Sequence, residues 1–328
     1  MAANEGMTLV EFDGDGVDRA FRADVLAGLR QPQKAVPARW LYDDAGSQLF
    51  EDITQLEEYY PTRAETEILT ERGGEFANMV GPGRAVVEFG SGSSVKTPLL
   101  LRAIEPAAYV PLDIAGDFLR MAADELAAKF PGLPVYPVEA DFMRKVALPE
   151  AVEGMPKLGF FPGSTIGNMV PRTAVDLLRT MRATLGTGAK LLIGMDLIKD
   201  PAVLEAAYDD AAGVTAEFNL NLARRINREL GGTIPVDDLR HVAHWNDGFA
   251  RIEMHLKARR DLAFEVAGER FSLKKGETIH TENSHKFSRR SANTLLLAGE
   301  WTPVSRWTDS SERFSLILAE ATIPRSAP

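Results

Sequence analysis

The stretch Val86-Val87-Glu88-Phe89-Gly90-Ser91-Gly92-Ser93-Ser94 decides the fold. A β-branched run ends in Gly-x-Gly and gives way to a helical pattern from Lys96 to Ile104. A second apolar run, Ala108-Tyr109-Val110-Pro111-Leu112, ends on Asp113. Strand, tight turn, helix and a strand closing on an acid is how a parallel sheet builds a ligand site at the carboxyl ends of its strands. Gly90 and Gly92 let the backbone approach a ligand, and a carboxylate about 20 residues further on suits ribose hydroxyls. The third glycine that would help seat a pyrophosphate is missing, so an adenosyl group without phosphates is favoured over a dinucleotide. This reading predicts S-adenosylmethionine beside Glu88, Gly90, Gly92 and Asp113. The same residues, taken alone, also describe an ordinary β-turn-α joint whose glycines serve turn geometry only.

The chain of 328 residues is long enough for one large domain or two modest ones. Its 45% hydrophobic and 26% charged residues are ordinary for a globular protein. No apolar run is long enough to span a bilayer, and the acidic, polar start shows no signal peptide. The absence of cysteine excludes disulfides, thiolate metal sites and cysteine nucleophiles, and it agrees with a cytoplasmic location. A net charge of -10 speaks against nucleic acid, which needs a basic face. The pairs Arg224-Arg225, Arg259-Arg260, Lys274-Lys275 and Arg289-Arg290 are isolated and read as solvated faces.

Strands are expected at Ala85–Phe89, Ala108–Leu112, Val135–Val138, Leu158–Phe161 and Lys190–Asp196, with helices at Gly116–Phe130 and Thr173–Leu185 between them. This alternation predicts a doubly wound parallel α/β sheet. It then stops. Helices are expected at Pro201–Tyr208 and Val214–Leu230, and strands around His241–Trp245, Arg251–Lys257 and Leu262–Ala267. Trp301–Trp307 and Arg313–Ala319 read as a hairpin that completes the core. Residues 1–15 read as frayed and Gly/Asp-rich, and short helices joined by turns suit the segment from Trp40 to Arg63.

Several blocks occur together and in order: Trp40–Phe50, Tyr59-Tyr60-Pro61-Thr62-Arg63, Glu88–Gly92, Gly163-Ser164-Thr165-Ile166-Gly167-Asn168, Tyr208–Thr215 and Glu282-Asn283-Ser284-His285-Lys286-Phe287. This set resembles the histidine-specific Nα-methyltransferases of ergothioneine biosynthesis over almost the whole chain. The resemblance implies a class I methyltransferase (Rossmann-like) fold, formed by residues 64–198 and 287–328, with an α+β substrate-binding domain formed by residues 11–63 and 199–286. It implies three methyl transfers from S-adenosylmethionine to the α-amine of L-histidine, giving hercynine. By position it assigns the cofactor to Gly90, Lys96, Asp113, Asp141 and Phe142. It assigns the amino acid to Tyr42, Phe50, Tyr59, Gly163, Asn168, Tyr208, Met254, Glu282 and Ser284. Pro162 stands where the family usually has Leu, and Asn283 where an apolar residue can sit; neither removes a pocket side chain.

The residue types suit that chemistry. Displacement at a sulfonium needs an aligned, neutral amine more than it needs a protein nucleophile. Tyr42 and Tyr59 are expected to orient the amine or relay its proton, and with Phe50 they offer ring faces to cations. Asn168 and Tyr208 can donate to a carboxylate, and Glu282 and Ser284, two apart on an extended segment, can read an imidazole from one face. The histidines at 241, 244, 255, 280 and 285 lack the spacing of a closed metal site, so no metal is expected. A monomer is the expected state. Two alternatives remain: methylation of another amino acid such as tryptophan or tyrosine, and a non-catalytic adenosyl-binding module.

Overall fold

The computed structural model describes residues 16–92, 96–114 and 116–321, without the side chains of residues 117 and 118. Residues 1–15 and Ser93-Ser94 of the opening stretch lie outside the described residues. The chain divides into two compact units: residues 61–198 with 286–328, and residues 1–60 with 199–285.

The first unit is built on a seven-stranded sheet. Its order is Trp301–Thr308, Phe314–Ala321, Lys190–Asp196, Lys157–Phe161, Ala85–Phe89, Ala108–Asp113, Val138–Glu139. The strands from Lys190–Asp196 to Val138–Glu139 run parallel. Phe314–Ala321 runs antiparallel beside Lys190–Asp196, and Trp301–Thr308 closes the edge as its hairpin partner. Central strands are buried on both faces, as parallel strands covered by helices must be. Ala85, Val87 and Phe89 enter one hydrophobic core while Val86 enters another, so successive residues feed opposite layers. The order reverses between Ala85–Phe89 and Lys157–Phe161, the switch point where such sheets bind ligands. This is the class I methyltransferase fold.

Two elements of this unit differ from the expectation. Val135–Val138 is not a continuous strand: it is a single bridge from Val135 to Tyr109 and a short strand Val138–Glu139. Pro137 between them has no N–H to give a ladder. The helix Arg289–Ala298 has no counterpart in the expected elements; Ser288 and Ser291 cap it reciprocally.

The second unit holds a four-stranded sheet in the order Lys34–Ala35, Thr278–His285, Arg251–Ala258, Leu239–Asn246. A separate hairpin joins Leu262–Val266 to Glu269–Leu273. The helix Val214–Leu230 buries Phe218, Leu222 and Ile226, spaced by four, into the core it shares with Leu239, Leu256 and Met254. Asp210 receives the N–H groups of Thr215 (2.8 Å) and Val214 (3.0 Å) at the start of this helix. Arg225 corrects one expectation. Its guanidinium lies 4.5 Å from the Phe21 ring centre and donates to the Trp40 carbonyl at 3.0 Å, so it packs rather than standing in solvent.

Candidate active site

In the first unit, Gly90 (φ 71°) and Gly92 (φ 43°) turn the chain in the left-handed region that favours glycine. A Cβ on Gly90 would meet the Phe142 ring at 3.4 Å. The N–H groups of Gly90 and Ser91 donate to the Leu112 carbonyl at 2.8 and 3.1 Å, and that of Gly92 donates to Asp113 Oδ2 at 3.1 Å. The turn is therefore tied to the strand that carries Asp113. Phe142 stands edge-on to Phe89 and Phe161, and Asp141 accepts the Met143 N–H at 3.0 Å. The buried Ser91 hydroxyl has no hydrogen-bond partner among the described residues. A glycine turn, a carboxylate at a strand end, an aromatic wall and an unsatisfied buried hydroxyl fit an adenosyl group.

Glu88 is 0% exposed. Its Oε2 accepts from Tyr109 (2.6 Å) and Thr97 (2.7 Å), which braces the neighbouring strand and the helix start. Burial pushes this carboxyl up to about 7; those hydrogen bonds and Lys96 oppose the rise, and Glu65 adds to it.

Sequence reasoning missed Glu65. It is fully buried, and its Oε2 accepts from both Lys96 Nζ (2.7 Å) and the Gly163 N–H (2.8 Å). A Cβ on Gly194 would come within 2.4 Å of its Oε1, so a glycine keeps that space open. Lys96 and Gly163, expected to serve different ligands, thus meet on one carboxylate. Gly163 (φ 77°) and Ser164 (φ 58°) form a strained turn after the strand Lys157–Phe161, held by the Ser164 hydroxyl accepting the Asp196 N–H at 2.9 Å. Asn168 closes the short helix Thr165–Asn168, half-buried.

In the second unit, Tyr42, Phe50 and Tyr59 come together with Tyr208 and with Phe218, a residue the sequence did not single out. Ring centres lie 5.5 Å apart for Tyr42 and Phe50, 5.4 Å for Tyr42 and Phe218, and 6.1 Å for Tyr59 and Tyr208. The Tyr42 phenol is shifted well upward, first by desolvation, then by the charge of Glu282 and by Tyr59 and Tyr208. The residue is still 38% exposed, so the rise is smaller than complete burial would impose. Tyr42 therefore keeps its proton near neutral pH.

Thr278–His285 is a strand in which Glu282 pairs with Met254 and Ser284 with Ile252, placing Glu282, Ser284 and Met254 on one face. Glu282 and Ser284 are buried. The Ser284 and Tyr208 hydroxyls bond each other at 2.7 Å, so one of the two protons is already engaged between them. His241, buried and held neutral by desolvation against the pull of the Tyr208 carbonyl and of Asp209 and Asp210, sets the Tyr208 backbone. Its Nε2 lies 2.7 Å from that carbonyl and its Nδ1 2.9 Å from the Asn219 amide, which assigns the proton to Nε2.

His241 and His244, three apart on a strand, point to opposite faces. The opposite face brings His244 to Glu253 and His255 instead, a cross-strand grouping that linear spacing does not reveal.

A family model described as histidine-specific methyltransferase, SAM-dependent, matches residues 21–321. The chain is 40% identical over 312 residues to the histidine N-alpha-methyltransferase of Mycolicibacterium smegmatis, across 93% of this chain and 96% of that protein. It is 40% identical over 306 residues to the histidine N-alpha-methyltransferase of Mycobacterium tuberculosis, across 92% and 94%. It is 32% identical over 300 residues to the ergothioneine biosynthesis protein 1 of Neurospora crassa, across 88% of this chain and 33% of that longer protein.

Proposed function

The chain belongs to the histidine-specific, S-adenosylmethionine-dependent methyltransferases, and from that membership we propose that it trimethylates the α-amine of L-histidine to hercynine, a step of ergothioneine biosynthesis. The observation that carries the substrate reading is the buried pair Glu282 and Ser284 on one strand face with Met254. A carboxylate and a hydroxyl there match the two nitrogens of an imidazole, whereas an apolar ring offers neither of them a hydrogen bond.

Gly90 and Gly92, with Glu88, Lys96, Asp113, Asp141 and Phe142, are the residues that would hold the cofactor, Asp113 being the carboxylate suited to ribose hydroxyls. When bound, S-adenosylmethionine supplies an electrophilic methyl carbon; the amine lone pair forms the new C–N bond as the C–S bond breaks. The α-ammonium loses one proton before each of the three attacks. Tyr42 and Tyr59 are assigned to orient the amine, their phenol oxygens accepting from its N–H so that the lone pair stays free to attack; the upward shift of the Tyr42 phenol makes it a poor base. Phe50 and these rings present faces to the growing methylammonium. Asn168 and Tyr208 are assigned to the substrate carboxylate.

Among the described residues no helix is long and apolar enough to cross a membrane. The reading is of a cytoplasmic, monomeric enzyme acting on a free amino acid, with neither nucleic acid nor membrane as partner; the net charge of -10 and the absence of cysteine support it. The test is the mass of the product from purified protein with S-adenosylmethionine and L-histidine, L-tryptophan or L-tyrosine. Histidine carrying three methyl groups is the expected product. A product from tryptophan or tyrosine alone would move the substrate, and cofactor binding with no product would leave a non-catalytic adenosyl-binding module.

A further inference from the structure

We propose that His244, Glu253 and His255 form a binding site for one divalent cation of borderline softness, of the zinc, cobalt(II) or nickel(II) kind, on the sheet face opposite Glu282 and Ser284. This departs from the expectation of no metal, and it stands apart from the substrate reading.

The site follows from register. Glu253 and His255 are two apart on the strand Arg251–Ala258 and share a face. His244 pairs with Glu253 across one neighbour strand, and His280 pairs with His255 across the other. Met254 and Ile252, with their partners Glu282 and Ser284, occupy the reverse face. Glu253 Oε2 lies 3.2 Å from His255 Nε2 and 3.4 Å from His244 Nε2, and the three ligand atoms all fall within 4.8 Å of one another. A tetrahedral ion with bonds of about 2.0–2.2 Å holds its ligand atoms roughly 3.3–3.6 Å apart, so two of the three pairs need almost no movement.

The surroundings hold the donors in that arrangement. Glu253 Oε1 is taken by Asn246 Nδ2 (2.9 Å) and Arg251 Nε (2.7 Å), which turns Oε2 toward the two imidazoles. His255 Nδ1 lies 3.2 Å from the Thr278 hydroxyl, the outer polar partner that metal-binding histidines use to fix their orientation. The His255 ring is stacked between His244 (5.2 Å) and His280 (4.5 Å). Glu253 and His255 are 7% exposed, while the His244 side chain is 46% exposed, which leaves an access path and an open coordination position.

The donor set also selects the ion. Arg251 offsets the charge of Glu253, so attraction for a hard cation such as magnesium is weak and binding rests on two imidazole nitrogens. Binding replaces the contacts to Oε2 with metal bonds, and a neutral imidazole that ligates through Nε2 carries its proton on Nδ1, where His255 faces the Thr278 hydroxyl.

The experiment titrates tag-free protein, freed of metal by chelator, with cobalt(II) chloride and reads the visible absorption. Equilibrium dialysis with zinc chloride and magnesium chloride runs in parallel. The expected result is one cobalt or zinc ion per chain, no magnesium, and at least about tenfold weaker zinc binding in both His244→Ala and Glu253→Gln. His244 is half-exposed, and an unchanged far-UV circular dichroism spectrum with a cooperative thermal transition reports that His244→Ala and Glu253→Gln are folded. Failure of the wild type to bind either ion stoichiometrically would overturn the site, as would unchanged zinc affinity in His244→Ala and Glu253→Gln.

Discussion

Glu88 sits where a carboxylate is costly. It is 0% exposed, Tyr109 and Thr97 donate to its Oε2, and its Oε1 has no partner among the described residues. Its folded value of about 7 lies above the ordinary carboxyl range. Between the two values the folded protein holds a proton that the unfolded chain has lost. Stability from this group is therefore greatest at acid pH and falls as pH rises through 7, by up to about 3 kcal/mol for a shift of this size. Glu88→Gln removes the titration while keeping an oxygen for Tyr109 and Thr97. Urea unfolding at pH 5 and pH 8 should show wild type losing more stability than the variant over that interval. Equal losses would remove the buried-proton account. Glu65 teaches a related lesson: nothing local marks it, because its importance comes from Lys96 and Gly163, distant in sequence.

At the scale of elements, the strands Ala85–Phe89 and Lys190–Asp196 were legible because short, mostly apolar runs bounded by glycine or charge leave few alternatives. The strand at Val135 was misjudged because proline density outweighs hydrophobicity at a sheet edge. The helix Arg289–Ala298 carried a readable Ser288/Ser291 cap, but its paired arginines drew the reading toward a solvated face. Phe218 was invisible as a site residue for a different reason: on an amphipathic helix a pocket phenylalanine has the same spacing as a core one. The Val214–Leu230 helix also offers a test. Burial would raise Asp210, but the N–H bonds from Thr215 and Val214 outweigh it and hold the carboxyl below its usual range. A depressed carboxylate stabilises above its unfolded value and stops doing so as pH falls through its folded one. Asp210→Ala should cost about 1 kcal/mol at pH 7, and less at pH 3, by chemical denaturation. A cost that grows on acidification would contradict this role for the Asp210 carboxylate.

At the scale of the molecule, both units are assembled from segments far apart in the chain. Phe314–Ala321 lies inside the larger sheet, with Leu316, Ile317 and Leu318 all 0% exposed. A chain ending at Ala298 would leave Lys190–Asp196 as a bare apolar edge. It should be recovered insoluble or without a cooperative thermal transition, whereas a soluble, cooperatively melting fragment would show the hairpin to be an accessory. The C-terminal hairpin was legible from its two apolar runs; the cross-strand His244, Glu253 and His255 grouping was not, since register is a property of the folded sheet.

The central claim is that Glu282 and Ser284 choose histidine. An imidazole offers ring nitrogens to both side chains, while an indole has a single N–H for the two, and a missing hydrogen bond of this kind is worth roughly 1–3 kcal/mol. Glu282→Ala removes the group that rejects the indole and leaves Gly90, Asp113 and Asp141 unaltered. The deciding measurement is kcat/KM for L-histidine and L-tryptophan in wild type and Glu282→Ala, with S-adenosylmethionine affinity measured alongside. The account predicts that the histidine-to-tryptophan ratio falls by about 5- to 100-fold at unchanged cofactor affinity; a ratio that stays put in a folded, cofactor-binding variant would contradict it.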